Sequence, residues 1–363
     1  RVAWLSPSAH TAPPGALRHV RLDRAALLRP VGDRANQLWP TGTVRLRLDF
    51  EVVRKRAADT RPVAEATAAE AATLEGVRRW GRGLTERLVG LALGGGGSPG
   101  FAHVALIRAL EQRADIPIDV VAGTSFGALV GAWYAGVRQR GTQEPARLQT
   151  LLDAGRRLNA CLAVGMLDTG PLAHVVDRQF GGLRLSDVEM PFFPVSSEVD
   201  SGTVFVGRAG TLGRAVQMSG AFPPFFPPVI RGTYARLVDG GFVNNVPASV
   251  LRTEGASFVI ASNSIGLIPP RESHPGLPRL RRVLAALNPV GRVEDAIRAG
   301  MMLFHRIGDS QALYADVSYE AAYTGFEFWD FNRGQAVIDQ VQETADAFAE
   351  RLAEAWRLRR RRS

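Results

Sequence analysis

"LVGLALGGGGSPGFAHVALIRALEQR", residues 88–113, and "PIDVVAGTSFGALVGAWYAGVRQR", residues 117–140, together decide the fold. Each opens with a short apolar run of strand length and continues in a helical pattern, with Val104, Ile107 and Leu110 on one face of the first helix. Strand, helix, strand, helix with short links predicts a parallel α/β sheet. The first link is four consecutive glycines, Gly94 to Gly97. Glycine gives up a side chain so that backbone can approach something closely. The question is what that partner is.

Three partners can be weighed. Gly95-x-Gly97-x-x-Gly100 after a strand has the spacing of a dinucleotide site, which also needs an acid at the end of the next strand to hold a ribose. Here the acid, Asp119, begins that strand and "AGTSFG" ends it. A Walker-type phosphate loop needs a lysine after the glycines, and none follows. The third partner is an oxyanion. "GTSFG", residues 123–127, matches G-x-S-x-G between a strand and a helix, the context of a nucleophile elbow. Gly123 and Gly127 allow the tight turn that lifts Ser125 out of the sheet edge. The glycine loop at the neighbouring strand end would present backbone N–H groups of Gly95, Gly96 and Gly97 to an anionic tetrahedral intermediate.

A serine needs a base. After Ser125 the histidines are His174, His274 in a Pro-rich loop and His305 in a helical stretch, and none follows a recognisable strand end. "ARLVDGGFVNNVP" offers another route: Asp239 ends a strand, and Gly240-Gly241 bring the backbone into close approach. An ordinary aspartate, pKa near 3.9, is a poor base in water. Desolvation and a hydrogen bond to Ser125 would make the transfer effective. An ordinary Asp-Gly-Gly turn is the competing explanation for the same residues.

The glycine loop, the Ser125 elbow and the Asp239-Gly240-Gly241 acid, in that order, resemble the patatin-like phospholipase family over about residues 88–264. "QMSGAFPPFFPPV" ahead of the acid is similar to that family's stretch at the same place. The resemblance implies a three-layer α/β/α fold with a mostly parallel central sheet. It also implies a Ser125–Asp239 dyad without histidine, Gly95 to Gly97 as oxyanion donors, and hydrolysis of fatty-acyl esters of phospholipids or lysophospholipids through an acyl-serine. No cofactor or metal is implied. Where the family carries Arg or Lys, this chain has Pro99, which supplies no N–H. Either Pro99 sits harmlessly in the first turn of the following helix, or the loop is reshaped and the fold is a weak or inactive lipid-binding module. "VAWLSP" and "RHVRLDR" upstream are similar to the lead-in of bacterial neuropathy-target-esterase-type members, which in a longer protein could follow regulatory domains.

The remaining sequence sets the surroundings. A 46% apolar and 22% charged composition is that of a globular protein. The net charge of +9 is almost wholly arginine, since Lys55 is the lone lysine. Only the tail "RLRRRRS", residues 357–363, concentrates it, as a solvated end or an attraction to anionic membrane. Charge alone speaks for nucleic acid, which is therefore not an expected partner. One cysteine, Cys161, excludes an internal disulfide and fits a reducing compartment. The expected location is cytoplasmic with peripheral membrane contact. The expected organisation is a lead-in over 1–87 with a strand at 43–53 and an Ala-rich helix from Pro62, a catalytic domain over 88–333, and an amphipathic helix with basic tail over 334–363.

Overall fold

A computed structural model of the chain describes residues 18–22, 44–48, 75–76, 78–79, 81–83, 85–114, 116–137, 144–165, 168–188, 190–223, 225–232, 235–265 and 289–362. In the lead-in, strands β1 (Arg18–Leu22) and β2 (Val44–Leu48) pair antiparallel. The predicted Ala-rich helix lies outside the described residues from 62 to 74, and helical positions appear among 75–83.

The main sheet contains β3 (Leu88–Leu93), β4 (Val120–Thr124), β5 (Phe192–Glu198), β6 (Thr203–Val206), β7 (Val229–Arg231), β8 (Ala235–Asp239), β9 (Ala256–Asn263) and β10 (Val317–Glu320). Its order is β10-β9-β3-β4-β5-β8-β7, with β6 also on β5. From β10 through β5 every neighbour is parallel; β8, β7 and β6 add an antiparallel end. The helices are α1 (Ala102–Arg113), α2 (Phe126–Val137), α3 (Glu144–Gly165), α4 (Gly170–Phe180), α5 (Leu212–Ser219), α6 (Ala248–Thr253), α7 (Pro289–Ala312) and α8 (Gly334–Arg362).

Side-chain size differs between the two faces of the sheet. Leu91, Leu93, Val121, Phe258 and Ile260 point to a large core shared with α1, α2, α4 and α8. The alternate positions, Ala92, Ala122, Val259 and Ala261, are mostly small and meet α6 on the other face. Strand alternation thus builds an α/β/α three-layer fold with a mostly parallel sheet. The stripe predicted on the final helix is spent inside the molecule. Val337, Val341, Ala345 and Leu352 are buried in that core, and Trp356 packs on Phe258 with ring centroids 4.9 Å apart.

Asp119, the acid that does not fit a ribose site, anchors the lead-in. It is fully buried, accepts from Arg82 Nη2 at 2.6 Å and from Val89 N at 3.0 Å, and has Arg79 at 3.9 Å. Desolvation outweighs these partners and raises its pKa, so the pair fixes geometry more than it adds stability. Arg82→Ala should cost roughly 3 kcal/mol in urea unfolding by stranding the carboxylate. Adding Asp119→Asn should recover most of that loss, and an equally unstable double variant would contradict the assignment.

Candidate active site

The ends of β3, β4 and β8 bring the three motifs together. β3 and β4 pair with Leu93 opposite Gly123, so the glycine loop and the elbow start side by side. Gly95 lies so close to the elbow that an added Cβ would stand 2.9 Å from Ser125 Cβ.

Ser125 occupies the turn between β4 and α2 with φ of 54°, a left-handed conformation rare for serine. This is the strained geometry expected of an elbow. The elbow glycines are required by packing: a Cβ on Gly127 would fall 2.3 Å from Leu93 O, and one on Gly123 2.4 Å from Gly127 O. A residue not singled out in the sequence fixes the strained turn. Buried Ser219, at the end of α5, accepts from Ser125 N at 2.9 Å and donates to Val195 O.

The glycine loop is held from several sides. Gly94 N donates to Ser262 O at 2.9 Å, and Gly95 N donates to Asn245 O at 3.1 Å. This corrects the expectation for Gly95, whose N–H is already engaged. Gly96 and Gly97 make no backbone N–H hydrogen bond to another described residue. Gly97 adopts φ 66° and ψ −144°, open in practice only to glycine, and caps the 3₁₀ turn Ser98–Phe101. Pro99 sits in the first turn of that 3₁₀ segment, where a missing N–H leaves no bond unmade. The first of the two arrangements weighed for Pro99 is therefore the one found. Ser98 ties the loop down, its N donating to Phe328 O at 2.8 Å and its Oγ to Glu327 O at 2.7 Å.

His103 is fully buried behind the loop. Its Nε2–H donates to Gly94 O at 2.8 Å, which leaves Nδ1 to accept from Ser262 Oγ at 2.8 Å. Burial lowers its pKa to about 4, so the ring is a neutral strut. Of the other histidines, His174 is exposed on α4, and His274 lies outside the described residues. His305, on α7, contacts Ile265 O at 3.0 Å and Asp309 Oδ2 at 3.5 Å. No contact from His174 or His305 to Ser125 or Asp239 occurs among the described residues.

Asp239 ends β8 opposite Ser196 of β5 and is 1% exposed. Its Oδ1 accepts from Gly241 N at 2.8 Å. The Ser125 hydroxyl reaches the same carboxyl and favours its charged form, yet no hydrogen bond of ordinary geometry is made to the buried Oδ2. Burial dominates, raising the pKa to about 7 against the pull of Ser125 and Gly241. Gly240 permits the chain to pass the sheet: a Cβ there would lie 2.3 Å from Val195 O. A Cβ on Gly241 would strike the Phe304 ring at 2.3 Å. The same segment then supplies Asn244 O to Thr124 Oγ1 at 2.8 Å and Asn245 O to Gly95. One short loop therefore carries the acid, braces the elbow strand and holds the glycine loop.

A small cavity of about 50 Å³ opens beside Ser125 and Gly97, walled by Phe222, Phe225, Phe328, Leu158 and Leu172. Its lining is mostly apolar and aromatic, as in sites that take apolar groups. Among the described residues there is no cluster of three or more His, Cys, Asp or Glu that could hold a metal ion, and no helix long and apolar enough to cross a membrane.

Residues 91–252 match the model of the family described as Patatin-like phospholipase. Over those residues the α/β domain of this chain is similar to that family, and its fold is patatin-like. Patatin-like phospholipase domain-containing protein 6 of Mus musculus is 33% identical over 191 residues, which is 50% of this chain and 14% of that protein. Neuropathy target esterase sws of Drosophila melanogaster is 32% identical over 194 residues, covering 50% of this chain and 13% of its own. Lysophospholipase NTE1 of Yarrowia lipolytica is 26% identical over 340 residues, 84% of this chain and 23% of that protein. Among solved structures, VipD from Legionella pneumophila is similar over 72% of this chain and 67% of its own, with 13% identity and a TM-score of 0.33. This chain thus spans well under a quarter of the first curated relatives it matches.

Asp239's raised pKa has a consequence for stability. Its carboxyl holds a proton more tightly folded than unfolded, so its contribution is full below the unfolded value near 3.8 and is lost as pH rises through about 7. Asp239→Asn should therefore be more stable than wild type at pH 8, by at most roughly 4 kcal/mol. The difference should shrink to near zero at pH 4. Equal urea midpoints at pH 8 would show that the buried carboxylate costs nothing.

Proposed function

We propose that this chain is a serine acyl hydrolase that cleaves fatty-acyl esters of phospholipids or lysophospholipids. The observation that carries the proposal is a buried carboxyl, with its pKa raised to about 7, in reach of an elbow serine. In this scheme Ser125 Oγ attacks the ester carbonyl while its proton passes to Asp239 Oδ2. The carbonyl oxygen becomes an oxyanion, accepted by the N–H groups of Gly96 and Gly97. Collapse of the intermediate expels the alcohol, which takes the proton back from Asp239. Water, deprotonated by the same carboxylate, then releases the fatty acid from Ser125 by the reverse route.

A pKa near 7 suits this role better than the ordinary value, because a base works best when its pKa lies near the operating pH. His103 is occupied at both nitrogens and His305 Nδ1 is bonded to Ile265 O, which supports a dyad over a Ser-His-Asp triad. The apolar cavity supports an acyl chain as the group bound beside the serine. One relative's name, lysophospholipase, favours the single-chain lipid as substrate. These relatives are animal and fungal, so the expectation of a bacterial source gains nothing from them.

A peripheral, cytoplasmic encounter with membrane completes the proposal. Its support moves from the final helix, whose apolar stripe is buried, to Met302 and Leu303. Both are exposed on α7, beside Met301 and Phe304, which pack with the site's Phe222. Side chains of the basic tail from 359 onward lie outside the described residues. An inactive lipid-binding module is disfavoured by the unstrained seat of Pro99. The domain limits at 87/88 and 333/334 remain part of the proposal, with the first α8 turns packed against the catalytic core.

Acyl release from lysophosphatidylcholine tests the assignment. Ser125→Ala should abolish it, and Asp239→Asn should lower kcat/KM by roughly 10²- to 10⁴-fold. His305→Ala and His274→Ala should each retain most activity. Loss in either histidine variant would replace the dyad by a triad.

A further inference from the structure

Phe328 stands where selection between acyl groups would occur. It belongs to the segment between β10 and α8. Its ring lies against Gly97 on one side, where an added Cβ would be 2.4 Å from Phe328 Cδ2. On the other side it stacks on Phe225, with centroids 6.2 Å apart and planes at 14°. Phe331 stands edge-on to it at 6.3 Å and is itself stacked on Phe126, the residue after the elbow serine, at 5.6 Å. The ring thus fills the space between the oxyanion loop and the cavity wall, next to the position the scissile carbonyl would take.

The ring is also held in place. Phe328 O accepts from Ser98 N and Glu327 O from Ser98 Oγ, so the segment cannot withdraw without releasing the glycine loop. Glu327 N in turn donates to Asp330 Oδ2 at 3.0 Å, closing the turn that presents the ring. A wall pinned to the oxyanion loop excludes bulk at one place in particular: the carbon adjoining the ester carbonyl. Leu158 and Leu172 line the same cavity and are left to the rest of the acyl chain.

We infer that Phe328 is a specificity-determining residue that restricts the site to acyl groups unbranched next to the carbonyl. The inference rests on the acyl-hydrolase function proposed above and specifies which acyl groups that site takes. A misplaced methyl group in a tight apolar site is worth about tenfold or more in discrimination. Straight-chain fatty acyl groups carry no substituent there and pass the ring. A 2-methyl branch would meet it.

The test compares p-nitrophenyl butanoate with p-nitrophenyl 2-methylpropanoate on wild type, Phe328→Ala and Phe328→Leu. Wild type should favour the linear ester. The ratio of kcat/KM values should fall about tenfold or more in Phe328→Ala and by less in Phe328→Leu. A second readout needs no turnover: the rates at which Ser125 is labelled by a linear-alkyl and by a branched-alkyl fluorophosphonate, read by mass spectrometry. The same change of ratio is expected. Where Phe328→Ala loses its cooperative unfolding transition, Phe328→Leu supplies the ratio. A variant that takes the linear probe at the wild-type rate with an unchanged ratio overturns the role of Phe328 alone. Wild type that neither probe labels overturns the acyl-hydrolase function, and the selection with it.

Discussion

Enclosure of the Asp239 carboxylate at the sheet edge, with one oxygen satisfied by Gly241 N and the other turned to the Ser125 side, is the constraint around which the site is built. A buried carboxylate is costly unless compensated. Here compensation is partial: one backbone donor, one hydroxyl, and a pKa lifted to about 7. The chain around the acid packs closely. Gly240 and Gly241 let the backbone lie against Val195 and Phe304, and Asp239 N bonds Ala221 O at 3.1 Å.

From that acid the chain continues directly into the supports of the other two parts. Asn244 O braces Thr124 beside Ser125, and Asn245 O takes the N–H of Gly95. The second contact removes a donor from the glycine loop but fixes where the remaining ones stand. Ser264 Oγ at 3.3 Å and Asn245 Nδ2 at 3.5 Å both approach Gly95 O, while His103 holds Gly94 O. The loop is therefore preorganised from behind by neutral groups, which is what the proposed oxyanion role would require. Ser98 and the Phe328 segment complete the anchoring from the front. A basic residue at position 99 is not needed for the loop to be held.

The strand-helix alternation, the elbow and the acid were legible in the sequence because each is written in contiguous residues. Asp239 closes β8, as the apolar run ahead of it predicts. β7 and β10 were not legible: three and four residues long, they lack room for a period and exist by pairing with β8 and β9. The supports of the site were hidden for a different reason. Ser219 acts 94 positions from Ser125, His103 meets Ser262 across 159, and Ser98 meets Glu327 across 229. Contacts at such range leave no local pattern. Gly95 shows the same limit, since a run of glycines reveals how many N–H groups exist but not which are already bonded.

The most direct measurement of the central claim is the rate at which a fluorophosphonate labels Ser125 as pH is varied. If Asp239 is the base, labelling should rise with pH and level off above a midpoint near 7, following deprotonation of a carboxyl whose pKa burial has raised to about that value. In Asp239→Asn the residual rate should be low and lack that step. A step that persists in Asp239→Asn, or wild-type labelling that is flat from pH 5 to pH 9, would contradict the account.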